Sequence, residues 1–238
     1  MTLFLLALLA LLASMIGTVT GFGVSMVMVP VLLLFFPLPT TLLLVGVIHW
    51  FEDVWKLVLF REGVRWKLLL LFSVPGSVFT LLGARIVLAS SGEQMLPWLA
   101  WFLIAYVFFL FLHPSFKIRP RPAVAAVGGA LSGFAAGLLG IGGAIRGAFL
   151  SAFDLPKAVY LATGGAVGLI VDSVRLGAYV QGGFVLPSTL LFGLGLFIPA
   201  SFLGAFLGRR LVARIPQKQF RTVVAVFLLA VAVRLLLV

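Results

Sequence analysis

Ten apolar runs fill almost the whole of this chain, at about residues 2–16, 22–36, 40–60, 66–89, 95–112, 122–138, 142–153, 157–180, 186–208 and 219–237. Of 238 residues 63% are hydrophobic and 10% charged, and the mean hydropathy is +1.28, more apolar surface than a water-soluble core of this size can bury. The chain reads as an all-α polytopic membrane protein. A bilayer core of ~30 Å needs about 20 helical residues. Six runs, of about 18 to 24 residues, meet that requirement, and four, of roughly 12 to 17, fall short.

The short runs flank two glycine clusters, Gly17-Thr-Val-Thr-Gly21-Phe-Gly23 and Gly137-Leu-Leu-Gly140-Ile-Gly142-Gly143. Glycine costs roughly 1 kcal/mol in a helix interior relative to alanine, so such a density marks a break. One cluster alone is equally explained by close helix packing. Two in matching places of the two halves point to a substrate site between paired half-helix hairpins.

Basic residues supply the topology. Arg61, Arg65 and Lys67, then Lys117, Arg119 and Arg121, then Arg209, Arg210, Arg214, Lys218 and Arg221 lie in alternate connections, and those connections are assigned to the cytoplasm. Pro37 to Thr40, Ala89 to Met95 and Gln181 to Leu186 then face outside without Lys or Arg. This works only if residues 122–153 enter and leave on one side, which a hairpin does, and it places both termini outside. Met1 to Ala13 has the apolar core of a signal peptide without its positive flank, and is expected to be retained as the first arm of that unit.

The same distribution explains the net charge of +11, which in a soluble chain would suggest nucleic acid. No nucleic-acid partner is expected. The absence of cysteine excludes disulfides and Fe–S sites, and with two isolated histidines neither a metal nor another cofactor is expected. Interfacial anchoring accounts for Trp66 and Trp98, and lipid contact for nearly all of the phenylalanines.

Further landmarks recur in both halves. Pro39-Thr40 answers to Pro156-Lys157, Asp53 precedes Gly63 as Asp172 precedes Gly182, and Pro75-Gly-Ser with Gly83-Ala-Arg85 answers to Pro199-Ala-Ser with Gly208-Arg-Arg210. The expected organisation is two inverted repeats, each a hairpin plus three spans. The first is 1–112 (hairpin 2–36, spans 40–60, 66–89 and 95–112). A basic linker at 113–121 leads to the second, 122–238 (hairpin 122–153, spans 157–180, 186–208 and 219–237).

The glycine break followed by Val29-Pro30-Val, the Pro-Gly-Ser with Gly-Ala-Arg, and their repetition in the second half resemble the sulfite exporter TauE/SafE family of bacterial membrane permeases, over essentially the whole chain. The resemblance implies export or uptake of small sulfur-containing anions such as sulfite and sulfonates, across the bacterial cytoplasmic membrane. The first break has fewer consecutive glycines than the family pattern, and the second has Arg146 nearby in place of a proline.

Half-helices starting after Gly23 and Gly143 would present unpaired N–H groups and about half a positive charge to an anion. The expected substrate-binding residues are Thr18, Thr20, Gly21, Gly23, Ser25, Gly140, Gly142, Gly143 and Arg146. The hydroxyls have an alternative use in bonding back to helix carbonyls. Arg146, in a short apolar arm, costs at least ~2.5 kcal/mol unless it faces a polar cavity or a partner, and Asp172 is the acidic competitor. On the first full span His49, Glu52, Asp53 and Lys56 fall within two turns, in i,i+4 pairs, while Glu52 and Asp53 lie about 100° apart and should not face one cavity. These residues suit either an ion-paired cluster near the cytoplasmic end or, for His49 and Asp53, proton coupling, because histidine side chains ordinarily titrate near neutrality. Asp172 and Arg175 should pair at i,i+3, with Asp53 and Asp172 at opposite gates.

A secondary transporter of a small anion, working by alternating access, is the leading expectation, with an anion channel of the same fold as the alternative. A coupling proton and a homo-oligomeric state are compatible with this reading. An enzyme is not expected, since the connections are too short to build an active site and no nucleophile with a nearby base is evident.

Overall fold

The computed structural model describes residues 2–60, 63–90 and 119–211, together with isolated positions between 97 and 108. The runs expected at 95–112 and 219–237 lie largely or wholly outside the described residues, as do the linker at 113–118 and most of the third basic connection. Among the described residues all regular structure is helical: α1 (Leu3–Thr20), α2 (Ser25–Leu32), α3 (Leu38–Leu59), α4 (Trp66–Ala89), α5 (Pro122–Leu139), α6 (Gly143–Leu150, continued by a 3-10 turn at Ser151–Phe153), α7 (Lys157–Gln181) and α8 (Ser188–Leu211).

Local chemistry sets the ends. α1 is capped by Thr2 Oγ1, which accepts from Leu5 N at 3.4 Å. It stops at Gly21, which takes the left-handed conformation at φ +77° while its N–H bonds to Gly17 O at 2.9 Å. α5 begins with Pro122 in its first turn and ends in the same manner at Gly140, φ +74°, whose N–H bonds to Ala136 O at 2.9 Å. A side chain at either position would strain the backbone, which is why the breaks need glycine.

The two helices that flank each break are unequal in length. Both were expected to be short, but α1 and α5 each have 18 residues, about 27 Å, and are long and apolar enough to cross a membrane. The helix runs on through Gly17 because that position is packed tightly: a Cβ there would come within 2.6 Å of Gly23 C. α2 and α6, with 8 residues each, are the short arms, about 12 Å long. α4, α7 and α8 complete five apolar helices of spanning length among the described residues, so the protein is a multi-pass membrane protein.

The packing is reciprocal. α4 lies along α5, α8 lies along α1, and α3 and α7 pack against each other, while α2 touches α6. Gly129, Gly133 and Gly137 of α5, spaced one turn apart, abut the carbonyls of Phe72, Gly76 and Thr80 of α4. Gly204 and Gly208 of α8 abut the carbonyls of Leu11 and Met15 of α1. Backbones in such contact gain dispersion and weak Cα–H···O bonds, the usual glue of helices in lipid. Thr80 Oγ1 donates to Gly133 O at 2.8 Å and Ser14 Oγ to Ser201 O at 2.7 Å, securing one bond across each pair. The outer faces of α4 and α8 carry exposed Leu70, Val74, Leu191 and Phe192, as a lipid-facing surface requires, and Trp66 stands exposed at the start of α4. Phe72 and Phe197 instead face inward and are fully buried.

Candidate functional site

The first break folds onto the middle of α3. Gly23, at φ +85°, has no side chain to exclude the His49 ring: a Cβ there would overlap Nε2. Gly17 likewise leaves room for Glu52, whose Oε1 would lie 2.8 Å from a Cβ. Glu52 Oε2 accepts from Val24 N at 2.7 Å, and Ser25 Oγ lies 2.9 Å from His49 Nδ1. The N-terminus of α2 is therefore already met by a carboxylate and an imidazole of α3. Thr20 bonds locally, donating to Ile16 O at 2.8 Å and accepting from Phe22 N at 3.2 Å. Thr18 is fully buried and its Oγ1 makes no hydrogen bond. Gly21 packs against Tyr160 of α7, whose ring carbon would lie 2.7 Å from a Cβ.

The second break meets the first. A Cβ on Gly143 would overlap the carbonyl oxygen of Phe22, so the two glycine clusters touch backbone to backbone. Gly142 packs on Ser132 O, and Gly140 leaves space beside Arg175 Nη1, which would lie 3.2 Å from a Cβ. No side chain caps the N-terminus of α6. Arg146 sits on its first turn, where its N–H bonds to Gly142 O at 3.0 Å. Its guanidinium is buried, with Nη2 4.0 Å from Asp53 Oδ2 and in no hydrogen bond. The acid at ion-pair distance from Arg146 is thus Asp53, and not Asp172, the acidic competitor named from the sequence.

His49, Glu52, Asp53, Lys56, Arg146, Asp172 and Arg175 form one buried cluster, each at most 4% exposed. Lys56 Nζ lies 2.9 Å from Asp53 Oδ1 and 3.4 Å from Glu52 Oε1, so Glu52 and Asp53 share one cation despite their separation around α3. Long side chains and a wall of protein on both flanks of the helix make that possible. Arg175 Nη2 pairs with Asp172 Oδ1 at 2.9 Å, as expected, and Nη1 donates to Ala136 O at 3.4 Å. His49 joins the two halves, with Nδ1 2.9 Å from Asp172 Oδ2 and Nε2 3.9 Å from Asp53 Oδ2. Asp53 and Asp172 do not lie at two separate gates: one ligand atom from each of His49, Asp53 and Asp172 falls within 4.8 Å of the others. Nor is the cluster confined to one end, since His49 stands near the middle of α3.

Three carboxylates, Glu52, Asp53 and Asp172, stand here against three basic side chains, Lys56, Arg146 and Arg175, with His49 between them. Several contacts are at ion-pair distance without hydrogen-bond alignment: His49 Nε2, Asp53 Oδ2, Asp172 Oδ2 and Arg146 Nη2 have no hydrogen-bond partner. The His49, Asp53 and Asp172 spacing would admit a metal ion, but Lys56, Arg146 and Arg175 hold the same carboxylates, and a metal would have to compete with all three cations. The donor set suits an anion or a proton better.

Two participants carry little sequence signal. Gly168 of α7 is where a Cβ would overlap Asp53 Oδ2 and approach Arg146 Nη2 to 2.8 Å, and Gly165 lies against Lys56 Cβ at 3.1 Å. The run Thr163-Gly-Gly-Ala-Val-Gly168 was the available clue, since glycines three apart share a helix face.

No curated protein and no solved structure significantly matches this chain. The family model for the sulfite exporter TauE/SafE matches residues 6–235, both breaks and every member of the buried cluster included. The chain belongs to the sulfite exporter TauE/SafE family of membrane transporters.

Proposed function

We propose that this protein is a secondary transporter that moves a small anion, sulfite or an organosulfonate, across the bacterial cytoplasmic membrane by alternating access. The observation that carries the proposal is the meeting of both glycine breaks at one buried charged cluster. Glycines at a break let an oxyanion approach backbone N–H groups, and an uncapped helix N-terminus with an arginine on its first turn is suited to a sulfonate group. In this reading Arg146 and the N-terminus of α6 bind the anion with Gly140, Gly142 and Gly143. Gly21, Gly23, Ser25, Thr18 and Thr20 form the opposite wall. Of the gating or proton-coupling residues, Asp53, His49 and Asp172 carry a coupling proton in that order, and Arg175 holds Asp172. The reciprocal packing of α1 on α8 and α5 on α4 supports two inverted repeats, and the one-sided distribution of the basic connections supports both termini outside.

The test is flux of radiolabelled sulfite into liposomes containing the purified protein, with and without a pH gradient. Saturable flux that responds to the gradient is expected. Flux that rises linearly with concentration would assign an anion channel instead, and no flux of sulfite or of a sulfonate would refute the substrate class.

A further inference from the structure

The anion expected at the first break has a substitute inside the chain. α2 is an eight-residue helix whose N-terminal N–H groups and dipole favour negative charge, and Glu52 Oε2 sits there, 2.7 Å from Val24 N. Two further polar atoms at this place are buried and make no hydrogen bond: Glu52 Oε1, which lies 3.4 Å from Lys56 Nζ, and His49 Nε2, 3.8 Å from Glu52 Oε2. Gly17 and Gly23 clear the space these groups occupy. Beyond the cap, the contacts of this carboxylate are ion-pair distances without hydrogen-bond alignment, so they fix its position less firmly than a full set of hydrogen bonds would.

We propose that Glu52 is an internal competitor for the transported anion: ionised, it holds the N-terminus of α2, and a substrate oxyanion takes its place when Glu52 is protonated. The charge balance carries the rest. Among the described residues the charged groups around Glu52 are Lys56 at 3.4 Å from Oε1 and His49 on its own helix, Asp53 sharing Lys56, and Arg146 from α6 and Asp172 and Arg175 from α7 reached through Asp53 and His49, with no titratable side chain on α1 or α2. With three carboxylates against three cations, an entering monoanion leaves the buried cluster one charge short unless a proton enters with it. Protonating Glu52 supplies that charge and frees the binding position in one step, so one proton travels per monoanion. This deepens the transporter reading above and rests on it.

The experiment uses purified full-length protein and measures thermal stabilisation by methanesulfonate, which stays a monoanion throughout, between pH 5.5 and 8.5, in wild type and Glu52→Gln. In wild type the apparent affinity should fall as pH rises, approaching about tenfold per pH unit once Glu52 is ionised, as one-proton linkage requires. Glu52→Gln, neutral and of the same shape, should bind at high pH at least tenfold more tightly than wild type and lose the slope. An equal slope in both proteins overturns the competitor role while leaving the transporter reading intact. No stabilisation of wild type by methanesulfonate or sulfite at any pH overturns both. Should Glu52→Gln fail to fold, proton uptake by wild type on methanesulfonate binding in weak buffer decides the matter: one proton per anion supports the proposal, and none refutes it.

Discussion

Removing the charge of Arg146 should destabilise the protein mainly through Asp53. The guanidinium is 4% exposed, and its Nη2 stands 4.0 Å from Asp53 Oδ2 without a hydrogen bond. Two unit charges at that separation attract by about 4 kcal/mol at an effective dielectric of ~20. Lys56, 2.9 Å from Asp53 Oδ1, remains when Arg146 is gone and offsets part of the loss, so Arg146→Gln should cost roughly 2–3 kcal/mol. In a double-mutant cycle with Asp53→Asn, melted in detergent without ligand, the coupling should be about 1–3 kcal/mol. The parallel cycle with Asp172→Asn should give less than about 0.5 kcal/mol, because Arg175 neutralises that carboxylate at 2.9 Å. Coupling to Asp172 as large as that to Asp53, or none to either, would refute the pairing. Arg146→Lys separates structure from binding: it keeps the charge and most of the stability, but lacks the planar fork and should weaken sulfite binding about tenfold or more.

Two further outcomes can be checked directly. Gly23→Val places a branched side chain at φ +85° and into His49 Nε2, so flux should drop at least tenfold in protein that still inserts, and normal flux at normal expression would remove the first break from the mechanism. The chain has no cysteine, so a single Gln181→Cys should react with an impermeant thiol reagent from outside the cell and a single Asp154→Cys only from inside, both positions being exposed, and the reverse pattern would invert the proposed topology.

The sequence disclosed the places where backbone chemistry is unusual. Gly21 and Gly140 had to be breaks because a left-handed residue ends a helix, and Arg146 had to have polar company because lipid would not tolerate it. Tertiary placement was not legible. A helical wheel puts Glu52 and Asp53 100° apart, and only the structure reveals protein on both sides of α3, with the α2 N-terminus on one and α7 with Gly168 on the other. The two aspartates looked separable because each was placed by its distance along its own helix. In the fold α3 and α7 lie side by side, and a single imidazole spans the gap. For the same reason the acid beside Arg146 was not legible: Asp53 belongs to the other half of the chain, and no local spacing records that contact.

The glycine contacts also restrict how such a protein can move. Along α4 and α5, and along α1 and α8, backbone meets backbone at successive turns, which leaves no side-chain layer to shear. At the cluster, Gly23, Gly143 and Gly168 bring His49, Phe22 and Asp53 so close that no Cβ would fit. Neither region can adjust by repacking a few rotamers, because close-packed interiors switch between discrete arrangements and do not deform continuously. In the alternating-access reading proposed above, the α1 and α8 pair and the α4 and α5 pair would move as units about α3 and α7. The polar contacts that must change are then the ones between those units. Val24 N with Glu52, Ser25 with His49, and Arg146 with Asp53 all join a short arm to α3, and of these only the first is a hydrogen bond from backbone to a carboxylate. The other two are looser, an imidazole contact whose donor depends on the tautomer and an ion pair without a hydrogen bond, so the α6 side should part from α3 more readily than the α2 side.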